Sequence, residues 1–397
     1  MKQSRPPGPR LLPGHARTGG RNVIFAWEQC KLGDVYGHLY SGNTPSRKKS
    51  ANFGGDTPWI RTADLNNGLI KSATEFLTYE GIKQLKILPE NTIVLAMYGG
   101  FNQIGRTGIL GFPATINQAL VALTPHKNIN QFFAQSYLNR HIIDWRRVAA
   151  SSRKDPNITK EDVEKSEFSF GSLEEQNRIS KLISRLDHTI TLHEEKKRQL
   201  ERLKSALMQK MFANKNGYPA VRFEGFSNEW EHCKLGDVAD ITTGSRNHQD
   251  SVTDGKYPFF VRSDKVERLN EYDFDTKAIL VPGDGRIGEI FHYYNGKFAL
   301  HQRVYKVDNF NGINELFLLG LFKYSFKEHA LRLNAQGTVP SLRLPMFTNW
   351  SISVPMITEQ ERIGVFFQKL ERTISLYDHK LELLKKVKRS MLQAMFI

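Results

Sequence analysis

From Ile179 onward, positions alternate by steps of four and three through Ile179, Ile183, Leu186, Ile190, His193, Lys197, Leu200, Lys204, Leu207 and Met211. The rhythm returns 184 positions later as Ile363, Phe367, Leu370, Ile374, Tyr377, Leu381, Leu384, Lys388, Met391 and Met395. Such spacing holds side chains on one narrow stripe of a 3.6-residue helix, which is a helix–helix seam rather than the broad face of a globular helix. The pattern predicts two long helices of about 41 residues, roughly 60 Å each at 1.5 Å per residue. Each needs a partner helix. His193, Lys197 and Lys204 are expected to weaken the seam locally.

The rest of the chain has a different texture. Short apolar runs closed by glycine, TIVLAMY from Thr92 and AILVPGD from Ala278, read as buried strands. INQALVAL from Ile116 and LHQRVYKV from Leu300 alternate like strands and again stand 184 apart. Pro58–Asp64 corresponds to Pro258–Asp264, and WEQCKLGDV at Trp27 matches WEHCKLGDV at Trp230. The chain is therefore an internal duplication of α/β (α+β) type. Its expected parts are a leader without structure at 1–22, a mixed globular half at 23–171 and a helix at 172–212. A second globular half follows at 213–355 and a second helix at 356–397. The leader is basic, rich in Pro and Gly, and has no hydrophobic period. The loops of the two halves, SGNTPSRKKSANFGGD from Ser41 and TGSRNHQDSVTDGK from Thr243, differ in chemistry. Related frames with unlike loops suggest two recognition surfaces that read different things.

Composition narrows the partner. Lys plus Arg is 56 against 41 for Asp plus Glu, a net charge of +15, which favours a polyanion such as nucleic acid or an anionic surface. The globular half at 213–355 is neutral overall, so cations that bind nucleic acid there have to be segregated to one face. Mean hydropathy is −0.45 and no apolar run approaches the ~18 residues of a membrane span. Two cysteines, Cys30 and Cys233, form no disulfide framework or zinc spacing, and a reducing cytoplasm is the expected location. Trp27 and Trp230 are expected to be core anchors.

No catalytic site is legible. Gly100–Thr107 has the spacing of a phosphate-binding loop, but GILGFP follows it where a helix would have to start. Gly283–Gly288 is its expected counterpart, with Arg106 and Arg286 at similar places. Glu194-Glu195-Lys196 lies within the heptad helix, where it reads as a solvated face. Asp155-Pro156-Asn157-Ile158 lacks the aromatic that stacks on a flipped base in amino-methyltransferases.

Arg, Asn, Gln, Ser and Thr are the side chains that reach base edges and phosphates. The candidates in the first half are Ser41, Asn43, Thr44, Arg47, Lys48, Lys49, Arg61, Tyr98, Asn102, Gln103, Arg106, Asn117, Gln118, Arg146, Arg147, Arg153 and Lys154. In the second they are Thr242, Thr243, Arg246, Asn247, His248, Arg262, Arg286, His301, Gln302, Arg303, Asn334, Gln336, Thr338, Ser341 and Arg343. Arg178, Lys181, Arg185, Arg362, Lys369 and Arg372, on helix faces away from the seam, are candidates for partner docking.

Two segments each opened by W-E-x-C-K-L-G-D-V and each closed by E-Q-x-R-I plus a heptad helix resemble the specificity subunits of type I restriction-modification enzymes. The resemblance covers residues 23–397. Gly337-Thr338-Val339-Pro340-Ser341-Leu342 also resembles the family's loop before its helical region; its counterpart Lys154–Ile158 keeps only the proline. The resemblance implies a non-catalytic reader of double-stranded DNA, with two target recognition domains that each read one half of a split, asymmetric site. It implies two antiparallel coiled-coil helices that set the gap between half-sites. Two DNA methyltransferase subunits would dock on the helical regions, and restriction/translocase subunits would join them. The chain itself would carry no cofactor or metal; S-adenosylmethionine, ATP and Mg would belong to those partners. From the residues alone two alternatives stay open: a self-sufficient nuclease or methyltransferase, and a coiled-coil protein–protein adaptor without sequence-specific DNA binding.

Overall fold

The computed structural model describes residues 10–18, 21–150, 157–213, 217–334 and 340–396, with the backbone alone for 10–18, 21–26 and 150. The chain divides into two units, Met1–Thr191 with Glu382–Ile397, and Leu192–Leu381. Two helices of 39 residues, Leu173–Met211 and Ile357–Met395, each contribute a stretch to both units. No helix among the described residues is long and apolar enough to cross a membrane.

In the first unit a five-stranded sheet runs in the order Tyr40–Ser41, Leu120–Leu123, Ile93–Ala96, Thr107–Leu110, Leu69–Ile70. Its central strand is buried on both faces. Ile93 and Leu95 pack with Phe133, Leu138 and Trp145, whereas Val94 and Ala96 pack with Ile60, Leu65 and Ile116. Double-sided burial explains the continuous apolar run where a one-sided strand would alternate. A smaller sheet joins Phe76–Leu77, Phe53–Ile60 and Thr115–Ile116.

The second unit repeats this plan. Its six-stranded sheet runs in the order Asp240–Thr243, Val304–Asp308, Phe274–Pro282, His292–Leu300, Tyr257–Phe260, Val266–Leu269. Ile279 and Val281 face one core while Ala278 and Leu280 face another. The parallel pairing of Ile60 with Ile116 recurs as Phe260 with Leu300. Trp27 and Trp230 are both buried.

The repeated E-Q dipeptide joins each long helix to its own unit. Gln176 accepts the backbone N–H of Asn130 at 2.9 Å and donates to the carbonyls of Asn128 and Gly171. Gln360 does the same with Asn314 at 2.7 Å and with Gly312 and Pro355. Asn130 and Asn314 in turn cap the helices that open at Gln131 and Glu315, accepting from Phe133 and Phe317 at 3.0 Å each. The neighbouring glutamates have diverged. Glu175 accepts from the Trp27 indole at 3.1 Å, whereas Glu359 is held by both Nε and Nη2 of Arg222 at 2.7 Å, and Trp230 Nε1 has no hydrogen-bond partner among the described residues.

Every seam position of both helices is buried or half-buried, and most residues flanking them are exposed. Within the second unit the helices run antiparallel. Lys197 pairs with Asp378 and Lys204 with Glu371, both at 2.6 Å, and the His193 and Tyr377 rings are 5.6 Å apart. Within the first, Lys388 meets Asp187 at 2.5 Å, and Phe396 packs among Trp27, Phe133 and Tyr137.

Two expectations need correction. The seam lysines are not left unpaired: Lys197 and Lys204 each meet a carboxylate of the opposite helix, as does Lys388, so the polar positions carry cross-helix ion pairs. Nor is the leader without structure over 10–18, where the backbone forms a strand paired antiparallel with Arg21–Lys31. A two-stranded ladder satisfies backbone groups without requiring a hydrophobic period. Residues 1–9 and 19–20 lie outside the described residues.

Candidate nucleic-acid interface

In the first unit some of the candidates meet at strand ends. Ser41 Oγ and Tyr98 Oη both donate to the carbonyl of Gln118, at 3.4 and 2.7 Å. Asn43 donates its backbone N–H to Ile116, and its own carbonyl accepts from the Trp59 indole at 3.3 Å. Gly42 has to be glycine: a Cβ there would overlap the carbonyl oxygen of Ile116. Gly244 is pinched in the same way against Leu300, so the recognition loop leaves the sheet at the same place in each unit.

Arg47 and Arg61 converge on one carboxylate. Arg47 binds Glu75 through both Nη atoms, the second at 3.0 Å, and Arg61 Nη1 reaches Glu75 at 2.7 Å. The two guanidiniums lie 5.1 and 5.9 Å from the ring of the buried Trp59, and Arg47 is also 4.6 Å from that of Phe53. The hydrogen bonds from Arg47 hold the Glu75 carboxyl below its usual range. By contrast Lys48, Lys49 and Arg106 have no ion-pair partner among the described residues. Arg146 donates to the Asn102 carbonyl at 2.9 Å beside Phe101, and Arg147 pairs with Asp144 at 3.2 Å on its own helix. Arg153 and Lys154 lie outside the described residues.

The second unit presents the equivalent rim with other chemistry. Arg246 donates to Asp273 at 2.8 Å and to Glu271 at 2.9 Å, and Gln302 donates to Asn247 at 2.8 Å. His248 lies 3.0 Å from Glu267, Arg262 pairs with Asp284 at 3.3 Å, and Arg286 pairs with Asp264. Thr242 and Thr243 lie on the edge strand Asp240–Thr243. Asn334 accepts from the backbone of Ser341 at 3.0 Å. Arg303 and Arg343 are exposed and have no ion-pair partner among the described residues. Gln336 and Thr338 lie outside the described residues.

His301 is the counterpart of Asn117. Asn117 Oδ1 accepts the backbone N–H of Ala119 at 3.2 Å, and His301 Nδ1 accepts that of Arg303 at 2.9 Å. That bond puts the proton of the neutral ring on Nε2. Burial, reinforced by the nearby Arg262, lowers the His301 pKa below its ordinary value.

The expected equivalence of Arg106 and Arg286 does not hold. The buried Ile104 and Ile287 are each followed by a glycine of positive φ, Gly105 at 77° and Gly288 at 65°. Counted from those anchors, Arg286 matches Gln103 and Arg106 matches Glu289. The core residue and the left-handed glycine fix the loop, and the cations around them are free to vary.

Sequence reading missed the partners of the arginines: Glu75, Glu271, Asp273, Asp264 and Asp284. Arg47 and Glu75 are 28 positions apart, and Arg262 and Asp284 are 22 apart, with no local period to link them. On the helices, Arg178 and Arg362 are exposed, the first paired with Glu174 and the second over the Phe226 ring; Lys181, Arg185, Lys369 and Arg372 are exposed as well. Burial raises the thiol of Cys30 to about 11 and shifts Cys233 in the same direction, so both free cysteines are poor nucleophiles at neutral pH.

Comparison with known proteins gives a consistent outcome. The type I restriction modification DNA specificity domain matches residues 26–202 and again 227–386. The chain is 28% identical over 169 residues to the EcoDI specificity subunit of Escherichia coli, a match covering 41% of this chain and 37% of that protein. It is 24% identical over 418 residues to the MjaIX specificity subunit of Methanocaldococcus jannaschii, covering 92% and 91%. Among solved structures, the type I restriction-modification S subunit from M. genitalium aligns with a TM-score of 0.69 at 15% identity, over 97% of this chain and 99% of that one. A chain from a structure describing complex assembly and conformational transition of the type I R-M system gives 0.53 at 16% identity, over 93% and 97%. At these identities the structural likeness is one of fold. With a domain match on each of two duplicated α/β units, the chain belongs to the type I restriction modification DNA specificity family.

Proposed function

We propose that each loop rim reads one half of a bipartite, asymmetric double-stranded DNA site, and that the long helices determine how many base pairs between the half-sites go unread. The observation that carries this reading is the duplicated frame. Gly42 and Gly244 launch loops from the same place in each unit, yet one loop carries Arg47, Lys48 and Lys49 and the other Arg246, Asn247 and His248. Related scaffolds with unlike side chains suit two different short sequences. Cations with no ion-pair partner among the described residues, such as Lys48, Lys49, Arg106, Arg303 and Arg343, suit phosphates, and groups fixed in orientation suit base edges.

In this reading the chain performs no bond chemistry. Two DNA methyltransferase subunits dock on the helical segments, and restriction/translocase subunits complete the assembly. S-adenosylmethionine, ATP and Mg act in those partners. The exposed cations Arg178, Lys181, Arg185, Arg362, Lys369 and Arg372 are the docking candidates on this chain.

Footprinting of the assembled complex on DNA tests the proposal. Two protected patches around an unprotected gap are expected, and exchange of residues 41–154 for those of another family member is expected to change one patch only. Absence of sequence-dependent protection, or a change in both patches, would overturn it. Cleavage or methylation by the purified chain alone would favour an enzyme instead.

A further inference from the structure

Glu75 is a carboxylate in the middle of a rim read above as a DNA surface, where an acid is electrostatically out of place. Its surroundings give it a task. One oxygen set holds Arg47 through a two-toothed contact, and Arg61 Nη1 reaches the same carboxylate at 2.7 Å. Arg61 is fixed from further sides: Nη2 donates to Thr74 at 2.9 Å, Thr74 donates to Asp64 at 2.6 Å, and Asp64 accepts the Arg61 backbone N–H at 2.8 Å. The backbone is tied in as well, since the Trp59 N–H donates to the Glu75 carbonyl at 3.0 Å.

Trp59 is 1% exposed, so its ring is a fixed wall. Arg47 and Arg61 lie against that ring while remaining partly open to solvent, at 53% and 32%. Glu75 holds both guanidiniums and Asp64 lies 4.0 Å from Arg61 Nε, so the four side chains form a charge-balanced cluster in which each arginine is held by more than one contact. A long flexible side chain that has lost its rotamer freedom before binding reads a base edge with less entropic cost than a free one. The second unit uses a similar brace, Arg246 held by both Asp273 and Glu271.

We propose that Glu75 is a positioning residue for sequence selection: it orients Arg47 and Arg61 against Trp59 so that the pair discriminates bases rather than merely attracting phosphate. The inference rests on the DNA-reading function proposed above. It separates the rim cations into two kinds. Arg47 and Arg61 specify, whereas Lys48, Lys49 and Arg106 add affinity without choice of sequence.

The test selects binding sites from a random DNA library with the full chain co-purified with its methylating subunits, comparing wild type, Glu75→Gln and Glu75→Asp. Glu75→Gln removes a negative charge, so binding to unselected DNA is expected to tighten. The ratio of selected to unselected binding should nevertheless fall about tenfold, within the range expected for loss of one base-reading arginine pair. The loss should fall at a few positions of one half-site, with the other half-site unchanged. Glu75→Asp keeps the charge but shortens the reach, and is expected to lose selectivity at those same positions without the tighter unselected binding. If Glu75→Gln tightens both kinds of binding equally and selects the wild-type motif, Glu75 only tempers charge and the inference is overturned. A uniform loss of binding, with a lowered melting temperature, would assign Glu75 to folding and also overturn it. If wild type selects no motif, the DNA-reading function itself fails and the inference falls with it.

Discussion

Gln360 Oε1 accepts the backbone N–H of Asn314 at 2.7 Å, at the point where the second long helix meets its globular half. The same carboxamide donates to the carbonyl of Pro355 at 2.8 Å, and the residue is 1% exposed. It therefore satisfies a helix N-cap and the chain entering its own helix together. Gln176 occupies the corresponding place beside Asn130. Replacing Gln360 by Leu is expected to cost about 3 kcal/mol, since at least two buried backbone groups lose their partners. Gln176→Leu should act similarly. Urea unfolding monitored by circular dichroism measures both, and a change within the error of the method would show that water replaces the carboxamide.

Arg222 and Glu359 form a buried ion pair, the carboxylate being fully buried and the guanidinium 15% exposed. Arg222→Met leaves that carboxylate uncompensated, for an expected loss of about 3–5 kcal/mol. Adding Glu359→Gln should recover much of it. The neutral amide no longer needs a cation. A double-mutant cycle by thermal unfolding is the measurement. Additive losses in the double variant would refute the coupling.

His301 and His329 both have pKa values lowered chiefly by burial. The unfolded chain then binds more protons than the folded one near and below the ordinary histidine value of about 6.5. Stability is expected in full above that value. It should decline as pH falls through it and level off below the depressed folded values. His301→Asn restores the side chain found at Asn117 and keeps an acceptor for the Arg303 N–H. Melting temperatures at pH 5.5 and pH 8 should therefore differ less in this variant than in wild type. An unchanged difference would assign the pH dependence to other groups.

Glu371 meets Lys204 at 2.6 Å and Lys323 at 2.7 Å. Burial raises its pKa, but the two ammonium groups outweigh that effect and the net direction is down. Its contribution to stability is thus present above the ordinary glutamate value and lost as pH falls through the lowered folded one. Glu371→Gln is expected to destabilise by roughly 1–2 kcal/mol near neutral pH, because the carboxylate is partly shielded from solvent, and to do so less at high salt. Equal stability of wild type and variant at pH 7 in low salt would show that desolvation cancels the pairing.

The pairing of Lys197 with Asp378 also shows where the helices can be lengthened together. One heptad inserted after Lys197 and another before Asp378 keeps the seam in phase on both helices. The preferred gap between half-sites is expected to lengthen while both half-site sequences stay the same, as read by site selection. An altered half-site sequence would mean that the helices and the readers are not separable modules.

Much of the fold was legible because it is written in periods. The seam of Ile179, Ile183, Ile363 and Phe367 announces itself by spacing, and burial follows the same stripe. The sheet strands at Ile93 and Ala278 announced themselves as continuous apolar runs, and each is covered on both faces. Single-site geometry was less legible. Arg47 and Arg106 look alike in sequence, yet one is held by Glu75 and the other has no ion-pair partner among the described residues. Arg106 and Arg286 looked equivalent until the buried isoleucines and left-handed glycines set the alignment of their loops.

The amino-acid sequence by itself determined the duplication, the two long helices and the α/β character of both halves. Each depends on how residues are spaced along a continuous run, and hydrophobic burial acts on that spacing directly. Tertiary structure alone decided which cations are braced and which are free, where Trp59 stands behind Arg47 and Arg61, and which partner each motif glutamate takes. Those outcomes depend on side chains brought together from distant positions by strand ends. A charge is bound or available according to what the fold places within a few ångströms of it.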